Sequence, residues 1–316
     1  QYSFVGTPVT QNASITGSDL GGHVYKYDET VAYGADGGNR WIPAASEQLI
    51  PGKGYTQANQ LAIEFSGMPN MGTIVYTGTY TDDTNTADEG WNLVSNPYAA
   101  SIKVSEFLQA NMNISNAVYI WDDNGSNTQR GSNDDYIVAN GTMANSTIMD
   151  VDAARYNLHL GSSQGFFVKL NSAVNKDVTF TESMRKLYEN SDDNFFRKSS
   201  LPIVRINLTD EGGLFKQAVV GLSDEATALE LNQTFDAQAF NATADYGLFT
   251  MKAGRTLTLN GMPLGWEEIQ LQLNVAEAGT YTISLQLEEV TQNIYLLDQV
   301  TGEVTDITHS AYSFTA

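Results

Sequence analysis

Histidines and carboxylates are the side chains from which this chain could build an acid–base or metal site. The three histidines, His23, His159 and His309, are scattered, and none has a second histidine or a carboxylate at metal-ligand spacing. Each is therefore expected to be structural or superficial. Carboxylates cluster in four places: TDDTNTADE (81–89), WDDNGSN (121–127), SNDDY (132–136) and NSDDN (190–194). Oxygen-rich loops of this kind suit Ca2+, and Asp122, Asp123, Asn124, Asp134 and Asp135 are the candidate ligands. The competing reading of the same clusters is solvated turns. None has EF-hand spacing, because Asn127 stands where the best candidate needs glycine. No carboxylate pair is nominated for glycoside hydrolysis, since that role is defined by a separation in space. A nucleophile elbow is missing, and PGKGYTQ (51–57) runs into a strand pattern without the Lys-Ser/Thr ending of a P-loop. No catalytic residue and no cofactor site is assigned, and the chain is read as a non-enzyme.

Two further residue types bear on binding. Trp41, Tyr33 and Trp266 stand near turn residues, where exposed rings would make a carbohydrate platform and buried ones would be core. Several sequons occur, among them Asn113, Asn145, Asn207 and Asn241, as an Asn- and Thr-rich chain produces by chance. The charge is lopsided: 37 acidic against 16 basic residues, a net of −21 over 316 residues. That balance excludes nucleic acid and anionic membrane surfaces as partners. With no cysteine, disulfides, thiolate metal sites and cysteine nucleophiles are all excluded. No apolar run is long enough for a transmembrane helix. The chain begins at Gln1, which suggests processing or a segment of a longer protein.

The elements that must carry these residues are strands. Short alternating runs recur, among them VYKYD (24–28), LAIEFSG (61–67), TIVYTGTY (73–80), AVYIWD (117–122), GFFVKL (165–170), IQLQLNV (269–275) and TYTISLQL (280–287). In the last two, Ile269, Leu271, Leu273 and Val275 share one face, as do Tyr281, Ile283, Leu285 and Leu287. Helical spacing is confined to VSEFLQAN (104–111) and a turn near 150–156. An internal repeat is expected: FVGTP, VYKYD and GKGYTQ, starting at Phe4, Val24 and Gly52, set against FSGMP, VYIWD and SQGFFVK, starting at Phe65, Val118 and Ser163. Gly54 and Gly165 would permit close backbone approach before an aromatic strand. The second copy carries a polar insertion over 124–157, expected as a loop or added hairpin. The fold class is all-β: tandem antiparallel β-sandwich domains, jelly-roll or Ig-like. Boundaries are drawn at 1–89 for the first copy, 90–190 for the second and 200–316 for a C-terminal sandwich, with a polar linker at 188–200.

GWNLVSNPYAASI (90–102), followed by VYIWDD, SSQGFFVKL and VTFTESMR, resembles a module of large secreted Bacteroidota proteins exported by the type IX secretion system. LPIVRINLTD, FDAQAF, AGTYTISLQL and NIYLLDQVTGEVTDITHSAYSFTA are similar to the block that precedes the sorting domain in such proteins. The resemblance implies secretion across the outer membrane, a cell-surface or extracellular location and contact with the type IX machinery during export. It implies no catalytic residue. The family continues past YSFTA into another strand and a sorting domain, so this chain is expected to be part of something longer. The expected function is a structural or adhesive module that self-assembles through open strand edges, its partners being copies of itself. The alternatives are a glycan-binding module, with or without Ca2+, and, behind it, a polysaccharide hydrolase.

Overall fold

The computed structural model describes residues 2–10, 17–20, 23–31, 40–58, 63–82, 89–122, 136–147, 159–186 and 201–316. The chain is all-β and divides into two compact units. Among the described residues the first unit comprises those of 2–122 and 159–186, and the second those of 136–147 and 201–316. The chain thus enters the second unit at 136–147, returns to the first, and then completes the second.

In the first unit β1 (Tyr2–Val5), β2 (Val24–Tyr27), β3 (Trp41–Pro43) and β4 (Tyr55–Ala58) form a sheet in the order β1-β4-β2-β3. Next come β5 (Ile74–Thr77), β6 (Trp91–Ser95), β7 (Ser101–Lys103) and β8 (Val118–Trp121). After β9 (Tyr136–Ala139), which belongs to the second unit, the first is completed by β10 (His159–Leu160), β11 (Gly165–Lys169), β12 (Asp177–Phe180) and β13 (Arg185–Lys186). Strand β11 lies between β6 and β8, β12 pairs with β5, and β7 lies between β10 and β13. Among the described residues of this unit, the one helix longer than a single turn, α1 (Val104–Ala110), buries Val104, Phe107 and Leu108, as its spacing predicts.

Two of these sheets pair with the same offsets. Val5 lies opposite Tyr55 and Phe4 opposite Thr56, while Val94 lies opposite Phe166 and Leu93 opposite Phe167. Thr56 then faces Tyr25 as Phe167 faces Tyr119. The contacts between the sheets are reciprocal: Gly6 N–H donates to Ser163 O at 2.8 Å, and Ser95 N–H donates to Gly52 O at 3.0 Å. Gly52 and Ser163 both adopt left-handed φ, +85° and +61°. A Cβ on Gly54 would sit 2.6 Å from Leu93 Cγ, and one on Gly165 would sit 2.7 Å from Phe4 Cβ. Both glycines are therefore required for close approach, not for an unusual φ. In this register the segment matching Phe4–Pro8 is Leu93–Pro97. Phe65–Pro69 is no strand. The described part of LAIEFSG finds no strand partner either, and Ile63 and Phe65 instead pack against Leu20, Val24, Leu49 and Tyr55.

The second unit is built on long strands: β14 (Ile203–Asp210), β15 (Phe215–Leu222), β17 (Tyr246–Lys252), β18 (Arg255–Met262), β19 (Gln270–Val275) and β20 (Thr280–Glu288). With β23 (Tyr312–Thr315) they form one sheet in the order β19-β17-β18-β15-β14-β20-β23, and the short β16 (Ala237–Gln238) also pairs with β18. All pairs are antiparallel except β15 with β18, which run parallel with Val219 opposite Leu259. A separate hairpin joins β21 (Tyr295–Leu297) to β22 (Val304–Asp306). Val204, Ile206, Leu208, Val220, Leu248, Tyr281 and Ile283 form the buried core. Leu271 and Val275 from one end of the sheet and Phe314 from the other pack on that same core, as does Leu296 of the hairpin, so the sheet curls around it. The opposite face is covered by 136–147 and the 223–245 connection. Asn140 donates through Nδ2 to Phe235 O at 2.9 Å, Gln217 Oε1 accepts from Ser146 N–H at 2.9 Å, and Met143 lies over Gly221. Part of the expected polar insertion is thus a buried strand segment of the second unit. Among the described residues, no helix is long and apolar enough to cross a membrane.

Candidate functional site

In the first unit the short strands collect aromatic rings. Tyr2 and Phe4 are two apart on β1 and share a face. Phe4 stands 5.8 Å from Trp41, 6.3 Å from Trp121 and 5.5 Å, edge-on, from Phe167. Tyr27 meets Trp41 at 5.4 Å and Phe167 at 4.9 Å, both edge-to-face. Behind them Trp91 packs on Tyr119 at 4.8 Å, with the Lys169 ammonium 5.5 Å from the Trp91 ring centre. Phe167, Tyr119 and Trp91 are buried; Phe4, Tyr27, Trp41 and Trp121 are half-buried, and Tyr2 is 47% exposed. Where the cluster reaches the surface there is a recess of about 210 Å³, lined by Tyr2, Ser3, Phe4, Ile120, Trp121, Gln164 and Gly165.

Asparagine side chains hold this scaffold together by acting as extra backbone. Asn96 Nδ2 donates to Ala100 O, Leu160 O and Gly161 O at 2.8, 3.2 and 2.8 Å, and its Oδ1 accepts from Tyr98 N–H. Asn111 and Thr179 exchange two bonds, Nδ2 to the carbonyl at 2.8 Å and the amide to Oδ1 at 2.7 Å, as paired strands would. Asn92 does the same with Thr79, and Asn70 Nδ2 donates to Thr7 O and Pro97 O. These residues are wholly buried, and each satisfies carbonyls or amides that no strand reaches. In GWNLVSNP, Gly90 has φ +77° and donates its N–H to Glu29 Oε2 at 2.7 Å, and Asn96 is the bracket just described. Those residues of the motif hold the fold. Tyr98 follows them, its hydroxyl hydrogen-bonded to Gly72 O and Phe180 O and pushed up to about 12, burial being the main cause.

The carboxylates that are buried are engaged. Glu29 accepts from Gly90 N–H and from Thr81 Oγ1, and Glu89 accepts from the Tyr80 hydroxyl. In the second unit Asp236 and Lys252 form a buried ion pair at 2.8 Å. Gly261 and Asn232 donate backbone N–H groups to the Asp236 carboxylate, and Gly261 O accepts from the ammonium, so the pair is fully bonded.

Of the Ca2+ candidates, Asp122 follows β8 and is half-buried, while Asp123, Asn124, Asp134 and Asp135 lie outside the described residues. Among the described residues, no group of three His, Asp or Glu side chains could hold a metal ion. The three histidines are exposed and far apart in the chain: His23 precedes β2, His159 opens β10 and His309 lies in the bend between β22 and β23. Although the residue is exposed, partial desolvation of the ring against the protein, with help from Lys103 and Lys186, lowers the His159 imidazole below its ordinary value. Trp41 belongs to the aromatic cluster, Trp266 packs on the second core, and Tyr33 lies outside the described residues. Of the sequon asparagines named above, Asn145 and Asn207 are buried, Asn113 donates to Asn175 O and Asp177 O, and Asn241 is exposed. Tyr2, Phe4, Trp121 and Gln164 were not singled out as a binding group. The runs FVGTP, VYIWD and SQGFFVK contain Phe4, Trp121 and Gln164, but nothing local in the sequence joins them to Tyr2.

No curated protein and no solved structure matches the chain. A family model described as a domain of unknown function, DUF8693, matches residues 1–316, and the chain belongs to that family.

Proposed function

We propose that this chain is a non-catalytic, extracellular structural or adhesive module of a bacterial surface protein, exported by the type IX route, that associates with copies of itself by strand addition. The observation that carries this reading is the character of the two strands that end the large sheet. Natural edge strands are usually blunted by lysine, proline, bulges or a covering segment. Strand β19 reads QLQLNV and β23 reads YSFT; neither contains a charge or a proline, and both keep unbroken register with their neighbours. Gly279 and Ala316 exchange both backbone bonds, so the antiparallel alternation turns the N–H and C=O groups of Ser313 and Thr315 outward. Pairing β19 of one copy with β23 of the next would be heterologous and open-ended, which produces chains of molecules. The net charge of −21 opposes this at low salt, so association should strengthen as salt rises.

The engagement of Glu29, Glu89 and Asp236 in structural bonds supports a non-enzyme, and the equal offsets of β1-β4-β2 and β6-β11-β8 support reading those sheets as two copies of one motif. Light scattering and electron microscopy over a concentration series test the assembly. Wild-type protein should form oligomers, and Ser313→Lys with Thr315→Lys should leave a folded monomer, since both backbones already face outward. A wild type that stays monomeric at high concentration and high salt ends the self-assembly reading.

A further inference from the structure

We propose that the recess between β1, β8 and the start of β11 binds neutral carbohydrate, one pyranose ring stacking on Tyr2 and Trp121. The recess exists because Gly165 lets β1 cross β11 closely: a Cβ there would meet Phe4 Cβ at 2.7 Å, and without that crossing Phe4 would not reach Trp121. Phe4 is braced from behind by Trp41 and Phe167, so the aromatic wall is held in place before any ligand arrives. Tyr2 extends the wall outward and is nearly half exposed, although a ring of its size is usually covered.

The recess of about 210 Å³ is many times the space that a single water needs, and it is open to solvent on one side. Polar groups stand at the rim. Gln164 Oε1 is taken by the Gly161 N–H at 2.7 Å, which turns its amide nitrogen into the available donor. Apart from the Tyr2 phenol, no lining residue is ionisable. An uncharged ligand with an apolar face and hydroxyl edges matches this lining; a phosphorylated one would also meet the field of a chain carrying −21. A quaternary ammonium would need several ring faces turned to one point, whereas Phe4, Trp41 and Phe167 are in contact with one another.

The test is calorimetry and tryptophan fluorescence on the full chain, against neutral tetrasaccharides of glucose, xylose, mannose and N-acetylglucosamine, with choline and AMP alongside. The expected result is binding to at least one tetrasaccharide, weakened about tenfold by Tyr2→Ala, the loss of one stacking contact. Gln164→Ala should weaken it as well, and Tyr295→Ala, at an exposed ring of the second unit, should not. Silence from every tetrasaccharide at millimolar concentration, a response to choline or AMP only, or equal loss in Tyr295→Ala would overturn the site. Repeating the titration on the Ser313→Lys, Thr315→Lys protein separates this site from self-assembly, because the recess does not involve β23.

Discussion

The two units solve the same problem, satisfying buried backbone, by different means. Among the described residues of the first unit no strand exceeds five residues. Asn70, Asn92, Asn96 and Asn111 fill the gaps, each reaching backbone groups that the ladders miss. The second unit has six strands of six to nine residues in one continuous sheet, and their backbone is largely satisfied by the ladder itself. Its buried polar chemistry includes charged groups, the Asp236–Lys252 pair and Arg205, which donates to Glu288 Oε1, Ala144 O and Gln217 Oε1, while backbone-bracketing asparagines, Asn140 and Asn145, recur in its short 136–147 segment. Short strands therefore make a fold dependent on side-chain amides, while long strands leave the fold to apolar burial and a few charged bonds.

That contrast can be broken from either side. The largest effect is expected from Asp236→Ala, which strands the Lys252 ammonium in the core and should cost about 3–5 kcal/mol. Urea unfolding should show the second unit's transition moving while the first unit's holds. The double change Asp236→Ala, Lys252→Met should recover most of the loss; no recovery would mean that packing, not charge, sets the cost. Next is Asn96→Ala, which deprives Ala100 O, Leu160 O and Gly161 O of a donor and should cost the first unit about 2–4 kcal/mol. If Asn96→Ala shifted the second unit's transition equally, the separation of the two strategies would be wrong.

The smallest effect concerns His159. Its lowered pKa means that the folded state favours the neutral imidazole, so its contribution to stability is full above the ordinary value of 6.5 and is lost as pH falls through the lower folded value. NMR titration should give a midpoint below 6.5 that rises when Lys103 is replaced by Gln, and an unshifted midpoint would remove this contribution.

Much of the scaffold was legible. Thr280–Glu288 and Gln270–Val275 alternate cleanly because one face of each packs on the core and the other meets water. The helix at 104–110 was legible from its spacing. LAIEFSG misled because alternation describes an apolar face, and whether a partner strand comes to meet it is decided elsewhere in the chain. Strand β9 was hidden in a polar insertion: YIVA is short, and its burial depends on Gln217, Phe235 and the rest of a sheet about 70 to 100 residues further on. The candidate recess was illegible for the same reason, its lining coming from positions 2–4, 120–121 and 164–165.

Composition and period-2 patterning determined by themselves that this chain is all-β, devoid of cysteine chemistry and strongly acidic, because those properties are sums over residues or relations between near neighbours. The tertiary structure alone decided which asparagines became brackets rather than turn residues, which aromatics reached the surface together and which strands were left at the sheet's ends. Each of those outcomes depends on backbone groups far apart in sequence coming within hydrogen-bond or van der Waals reach, and no local pattern encodes that distance.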